Sequence, residues 1–292
     1  MKLNCNKKNQ KTILITGAAK RIGASLAEKF ADLNWNVLIH YNNSEVAANE
    51  LCKKINSNSN FYGTVKTFKA DLKNENEIIG LFNFARNEFP QIDVLVNNAG
   101  IFPPEKSVNE IDSIFWDEVF SANLRSQFLT SREFSKIISD NNKKIGYRHS
   151  TLDAESLDTV RTVGTSLVDA QNTGQAQGIA STKENFKIIN FSSLGGLKIW
   201  NKKTPYNVSK TAVIQLTKAL ARELAPQISV NCICPGIVKI DENEIFSIPE
   251  TKIPMQKYAT VEDIFELVYF FATATNYITG QVVSVDGGLE FV

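Results

Sequence analysis

The feature that most constrains this chain is a turn. A short, β-branched apolar run at 12–16 stops at Gly17, and Thr16-Gly17-Ala18-Ala19-Lys20-Arg21-Ile22-Gly23 leads straight into an amphipathic stretch at 22–33. There Ile22, Leu26, Ala27, Phe30 and Leu33 recur on one face, the spacing of a helix that covers a core. A buried strand that turns this tightly into a helix is the first half of a β-α-β unit. Small residues in such a turn let the backbone approach a pyrophosphate, and the helix start supplies oriented N–H groups.

Strand and helix patterns alternate from there to the end. Strands are predicted at 36–41, 65–70, 92–97, 187–191, 229–233 and 281–285, and helices at 44–55, 75–88, 111–138, 205–224 and 261–271. Seven strands separated by helices predict an α/β fold: one Rossmann-type, doubly wound parallel sheet with helices on both faces. The domain is expected over 11–292, behind a flexible tail at 1–10. Ligands of such sheets bind at the carboxyl ends of the strands. One stretch, 139–185, breaks the rhythm. It is rich in Asn, Asp, Ser, Thr, Gln and Gly, and far longer than an ordinary helix-to-strand connection. It reads as an insertion, expected to emerge opposite the ligand side as a surface excursion or a contact for a partner.

Charge excludes some functions. In 292 residues, 32 Lys and Arg nearly cancel 31 Asp and Glu, so no whole-molecule field favours nucleic acid or an anionic membrane. The first dozen residues hold no signal-like apolar run and no later segment has the length of a membrane span, so a cytoplasmic location is expected. Cys5 and Cys52 are isolated. Cys232 and Cys234 share one face of a predicted strand, and with His40 and His149 the sole histidines the expectation is core packing and no metal.

The second predicted strand ends in His40-Tyr41-Asn42-Asn43-Ser44, without the acid that grips the ribose hydroxyls of NAD. Lys20 and Arg21 stand in the first turn, where basic groups are unfavourable unless an anion binds. A 2′-phosphate suits this set, which points to NADPH as cofactor. Further along, Tyr206 and Lys210 are four apart on a predicted helix and share one face. An ammonium beside a phenol favours the phenolate and lowers its pKa, so the pair is expected to exchange a proton with a substrate oxygen. Ser193 follows the 187–191 strand, placed to hold a carbonyl.

Taken in order, these motifs resemble the short-chain dehydrogenase/reductase family. The resemblance rests on the TGAAKRIG turn, Asp71-Leu72, Asn97-Asn98-Ala99-Gly100, Asn123, Ser193, the Tyr206 to Lys210 segment YNVSK, Pro235-Gly236 and Val285-Asp286-Gly287-Gly288. It implies that Tyr206 donates the proton in reduction, Lys210 lowers its pKa and binds the nicotinamide ribose, Ser193 positions the reacting group, and Asn123 holds a water that links Lys210 to solvent. It further implies cofactor contacts from Gly17, Lys20, Arg21, Ile22, Gly23, Asn42 and Ser44 in the first half. Asp71 and Leu72 would meet the adenine, Asn98, Ala99 and Gly100 the ribose region, and Pro235 and Gly236 the nicotinamide side. A homodimer or homotetramer is implied too.

Within the family, the TGAAKR turn, the HY-x-x-S segment, Phe102 and the YITG-x-V-x-VDGG tail look most like pteridine reductases. There the aromatic at the Phe102 position stacks on a pterin, so Phe102, Ser193 and Tyr206 form the implied substrate site. Those enzymes generally carry an aspartate where this chain has Ser193. Serine suits ketone reduction and keeps a 3-oxoacyl-thioester or other carbonyl reductase open, with a non-catalytic nucleotide-binding scaffold as a remoter reading. The segment 237–258, which carries Ile240, Ile245, Phe246, Ile248 and Met255, is expected to cover the substrate.

Overall fold

The computed structural model describes residues 10–144 and 185–292. The expectations for the tail at 1–9 and for 145–184 of the insertion lie outside the described residues. Seven strands form one sheet: β1 (Thr12–Ile15), β2 (Asn36–Tyr41), β3 (Val65–Lys69), β4 (Val94–Asn97), β5 (Phe186–Phe191), β6 (Ile228–Pro235) and β7 (Val282–Val285). Their order is β3-β2-β1-β4-β5-β6-β7, and every neighbouring pair is parallel. All residues of β1, β2, β4, β5 and β6 are buried, as expected where helices cover both faces, whereas the edge strands β3 and β7 are partly open.

One face is covered by α1 (Arg21–Asp32), α2 (Glu45–Asn56) and α7 (Val261–Thr273), whose apolar stripes meet β1 and β2 in one core. Phe30 of α1 is wholly buried there, edge-on to Trp35 at 5.0 Å and Phe265 at 5.4 Å, so truncation to alanine costs about 3–5 kcal/mol. The other face is covered by α3 (Glu75–Glu88), α5 (Ser126–Lys144) and α6 (Thr204–Glu223). Cys232 and Cys234 are buried with Val213 and Ile214 between β6 and α6, so they pack as core residues. Among the described residues no helix is long and apolar enough to cross a membrane.

The single helix expected at 111–138 is three pieces. A short α4 (Ser113–Phe120) runs into a π-helical turn, Ser121–Arg125, before α5 resumes. Apolar periodicity does not register a turn widened by one residue. The widening is fixed from outside the helix: buried Asn123 accepts from Ile101 N through Oδ1 at 2.7 Å and donates to Ile101 O through Nδ2 at 3.0 Å. The strand order reverses between β1 and β4, and the crevice outside their carboxyl ends is where such sheets bind ligands.

Candidate active site

The turn after β1 is built for close approach. Gly17 has φ +65°, and a side-chain carbon at Gly23 would come within 2.5 Å of Gly17 O, so neither position accepts a larger residue unstrained. Three neighbours fasten the turn. Gly17 N–H donates to His40 Nδ1 at 3.0 Å, Asn98 Nδ2 donates to Thr16 O at 2.9 Å and Gly17 O at 3.2 Å, and Ala99 N–H donates to Thr16 Oγ1 at 3.0 Å. Since His40 Nδ1 accepts, its Nε2 carries the proton and donates to Ala70 O at 2.9 Å. Burial holds the His40 pKa down at about 4, so the ring is neutral at pH 7. Asn98 is thus committed to the turn through its amide N–H groups.

Around this turn lies a cleft of about 540 Å³. It is lined by most of the expected cofactor residues: Gly17, Lys20, Arg21, Ile22, Gly23, Asn42, Ser44, Asp71, Leu72, Asn98, Ala99 and Gly100. Helix α1 has no side-chain cap at Lys20 and no acid in its first turn, so the N–H groups there are left for an anion. Ser44 makes no cap bond on α2 either. These features fit a dinucleotide with its pyrophosphate on α1. Arg21 behaves differently from expectation: at φ 56° it sits where a glycine would be relaxed, and its Nη1 is 2.6 Å from Glu244 Oε1 in the segment after β6. His40, Lys73 and Glu118 also line the cleft and were not foreseen. A polar residue inside the apolar run 36–41 was the one available signal for His40.

Gly100 joins this cleft to Asn123 and Lys210. A side-chain carbon there would lie 2.9 Å from Asn123 Oδ1 and 3.4 Å from Lys210 Nζ. Tyr206 and Lys210 lie in the first two turns of α6, both buried. The Ser193 hydroxyl, just past the end of β5, accepts from Gly195 N–H at 3.1 Å. Lys210 Nζ donates to Phe191 O at 3.0 Å and stands 5.9 Å from the centre of the Tyr206 ring. The electrostatics correct the expectation that Lys210 lowers the Tyr206 pKa. Burial pushes the phenol up, and the opposing pull comes from the Ser193 hydroxyl. Burial also holds Lys210 down, at about 8. Asn123 is committed as well, with Nδ2 donating to Ser209 Oγ at 3.3 Å beyond its two bonds to Ile101, and its main-chain oxygen accepting from Gln127 Nε2 at 3.1 Å.

Phe102 is two-thirds exposed (66 %) with its ring perpendicular to Tyr206 at 4.9 Å. Lys203, which the sequence did not single out, lies under it, with Nζ 4.1 Å from the ring centre and 2.5 Å from Pro103 O. Pro235 and Gly236 end β6 against Asp286, whose Cα a side-chain carbon at Gly236 would meet at 2.8 Å. Of the covering segment, Ile248 packs against Leu194, Ile253 and Leu289, Phe246 lies 4.8 Å from Tyr258, and Ile245 and Met255 face outward.

Residues 11–146 match the family model described as short chain dehydrogenase, and residues 143–290 match a second described as enoyl-(acyl carrier protein) reductase. The chain belongs to the short-chain dehydrogenase/reductase family. It is an NAD(P)-dependent oxidoreductase on that membership. Among similar proteins is the 3-oxoacyl-[acyl-carrier-protein] reductase FabG of Buchnera aphidicola subsp. Baizongia pistaciae, 28% identical over 292 residues, covering 97% of this chain and 98% of the relative. A solved short-chain dehydrogenase/reductase of Burkholderia xenovorans has TM-score 0.75 at 25% identity, covering 97% of this chain and 99% of that one. FolM alternative dihydrofolate reductase 1 of Brucella canis, solved with NADP, has TM-score 0.73 at 26% identity, covering 97% and 95%. A 3-oxoacyl-[acyl-carrier-protein] reductase and an alternative dihydrofolate reductase thus stand beside this short-chain dehydrogenase/reductase at nearly equal identity.

Proposed function

We propose that the protein is an NADPH-dependent reductase of a small conjugated substrate of the pterin or dihydrofolate type. The observation that carries this reading is the exposed Phe102 ring, held by Lys203 beneath it and set edge-on to Tyr206, a flat surface beside the proton donor. FolM, a dihydrofolate reductase by its name, gives further support. A second reading, reduction of a 3-oxoacyl thioester or another carbonyl, is favoured by Ser193. Its hydroxyl is near enough to the Tyr206 phenol to draw the phenol pKa down against burial, a placement suited to grip one acceptor oxygen between them.

Bound NADPH would supply the hydride. Gly17, Ile22, Gly23 and the start of α1 would hold its pyrophosphate, and Lys20, Arg21, Asn42 and Ser44 its 2′-phosphate region. Asp71 and Leu72 would face the adenine, with Ala99 and Gly100 beside the ribose and Pro235-Gly236 beyond it. Tyr206 then gives its proton to the substrate atom that gains negative charge, with Ser193 fixing the angle of approach. Burial keeps Tyr206 protonated until that moment, as a donor requires. Lys210, as the ammonium, replaces the proton that Tyr206 gives up. Exposed Ile114, Phe128 and Val208 on α4, α5 and α6 support a homo-oligomer.

The deciding experiment follows NADPH absorbance with dihydrobiopterin, dihydrofolate and an acetoacetyl thioester in parallel. Turnover of a pterin or folate supports the first reading. Turnover of the thioester alone replaces it with the second, and a preference for NADH removes the assigned roles of Lys20, Arg21 and Ser44.

A further inference from the structure

Gln127 lies in the first turn of α5, one turn beyond Asn123, and is buried. Its amide nitrogen spends both N–H groups on main-chain carbonyls: Asn123 O at 3.1 Å and Phe191 O at 3.0 Å. The second of these is the oxygen that orients Lys210 Nζ, also at 3.0 Å. Turning the amide over would set its oxygen against two carbonyls with no donor between them, so this orientation is the sound one. It leaves Oε1 of Gln127 without a hydrogen-bond partner in the protein, alone in that condition among the buried side-chain nitrogen and oxygen atoms of the described residues. A methionine would fill the same space with no polar group to satisfy. An unpaired buried carbonyl oxygen calls for a reason, and the usual one is an ordered water.

The family resemblance put that water on Asn123. Here the side chain of Asn123 makes three bonds to Ile101 and Ser209, and its main-chain oxygen accepts from Gln127. We propose that Gln127 is a positioning residue for proton transfer: its amide N–H groups fix the Phe191 carbonyl that aims Lys210, and its Oε1 binds a buried water that returns a proton to Lys210. One proton passes from Tyr206 to the substrate, one from Lys210 to Tyr206 and one from water to Lys210. One solvent proton is therefore consumed for each hydride the substrate gains.

This rests on the reading of Tyr206 and Lys210 as the proton-transfer pair, so Tyr206→Phe belongs in the same series. The variants Gln127→Met and Gln127→Glu are measured with whichever of dihydrobiopterin or acetoacetyl thioester turns over, for kcat, KM and the solvent deuterium isotope effect on kcat. NADPH affinity is read separately by fluorescence. Gln127→Met should lower kcat about tenfold, leave KM and the NADPH Kd within about twofold, and raise the isotope effect from about 1 to above about 2. Gln127→Glu keeps an acceptor oxygen for the water but loses both amide N–H groups that fix the Phe191 carbonyl, so it should lower kcat with the isotope effect unmoved. A folded Gln127→Met enzyme with unchanged kcat and isotope effect overturns the inference. So does a loss confined to KM or NADPH affinity. Should Gln127→Met fail to fold, a raised isotope effect in Gln127→Glu overturns it and an unmoved one supports it. Full activity in Tyr206→Phe would instead remove the underlying reading of the pair.

Discussion

The cleft after β1 and the buried centre around Tyr206 meet at Gly100, yet they are built on opposite principles. The cleft is wet. Lys20 and Arg21 are exposed, and the backbone N–H groups at the start of α1 have no side-chain cap. The centre is dry of bulk water: Asn123, Gln127, Tyr206 and Lys210 are all buried, and the side-chain N–H groups of Asn123, Gln127 and Lys210 go to main-chain carbonyls and to Ser209 Oγ. A charged, flexible ligand is held well by a pre-formed backbone cradle with movable cations around it. Proton transfer needs the reverse, since burial is what shifts the pKa values: up for the phenol of Tyr206 and down to about 8 for Lys210.

If that division is right, damage at one region should spare the other. The largest effect is expected from Tyr206→Phe, which removes the proton donor and leaves the ring. Reduction should slow by about a thousandfold, within the range that general acid catalysis supplies, while NADPH affinity measured by fluorescence stays within about threefold. A matching loss of NADPH binding would show that the two regions are not separable. A second consequence concerns Lys210. On the proposed route its ammonium refills Tyr206, so kcat for reduction should fall as pH rises through about 8, and a flat profile to pH 9.5 would remove Lys210 from the proton route.

The next effect belongs to the cleft and is read on stability. His40 is neutral in the fold with a pKa of about 4, against 6.5 in the unfolded chain. Between those values the unfolded state binds the extra proton, so stability is full above pH 6.5 and is lost as pH falls towards 4. The loss between pH 7 and pH 5 should be about 2 kcal/mol, read from denaturant midpoints. A His40→Gln variant should lose most of that slope, and an unchanged slope would trace it to other groups.

How much of each region was legible in the sequence follows from the same contrast. The cleft is largely local chemistry. A strand, a glycine turn and a helix start lie within a dozen residues, so Gly17, Lys20, Ile22 and Gly23 could be placed without knowing the fold. The alternation that predicts the sheet is equally local, which is why every strand was found with its ends displaced by a few residues at most. The centre is tertiary. Tyr206 and Lys210 were visible as a pair on one helix face, but the direction of the phenol shift depends on how deeply it is buried, and no spacing reports that. In the π-helical turn at Ser121–Arg125, Asn123 is bonded to the backbone of Ile101, a partner 22 positions away that no helical spacing reports. Lys203 and Gln127 carried no signal, because a lysine before a helix and a glutamine within one are ordinary surface residues until the neighbouring chain covers them.

Arg21 is the cleft residue whose partner the sequence did not reveal, and it gives the smallest and most specific test. Its guanidinium faces a carboxylate 223 positions away, Glu244, whose other oxygen accepts from the backbone N–H of Ile240 at 2.8 Å. The segment after β6 thus brings its own anion to the cofactor turn, and a bound phosphate has to share Arg21 with it. The exposed pair is worth little to stability. Its effect on a competing anion is direct, however, because the carboxylate repels a phosphate as well as occupying the cation. Glu244→Gln keeps an oxygen for Ile240 and removes the charge, so NADPH should bind about three- to tenfold more tightly. The gain should shrink at high salt. If instead NADPH binding weakens, Glu244 supports the cleft by shaping the segment after β6, and the wet region is less independent of its cover than the comparison with the dry one implies.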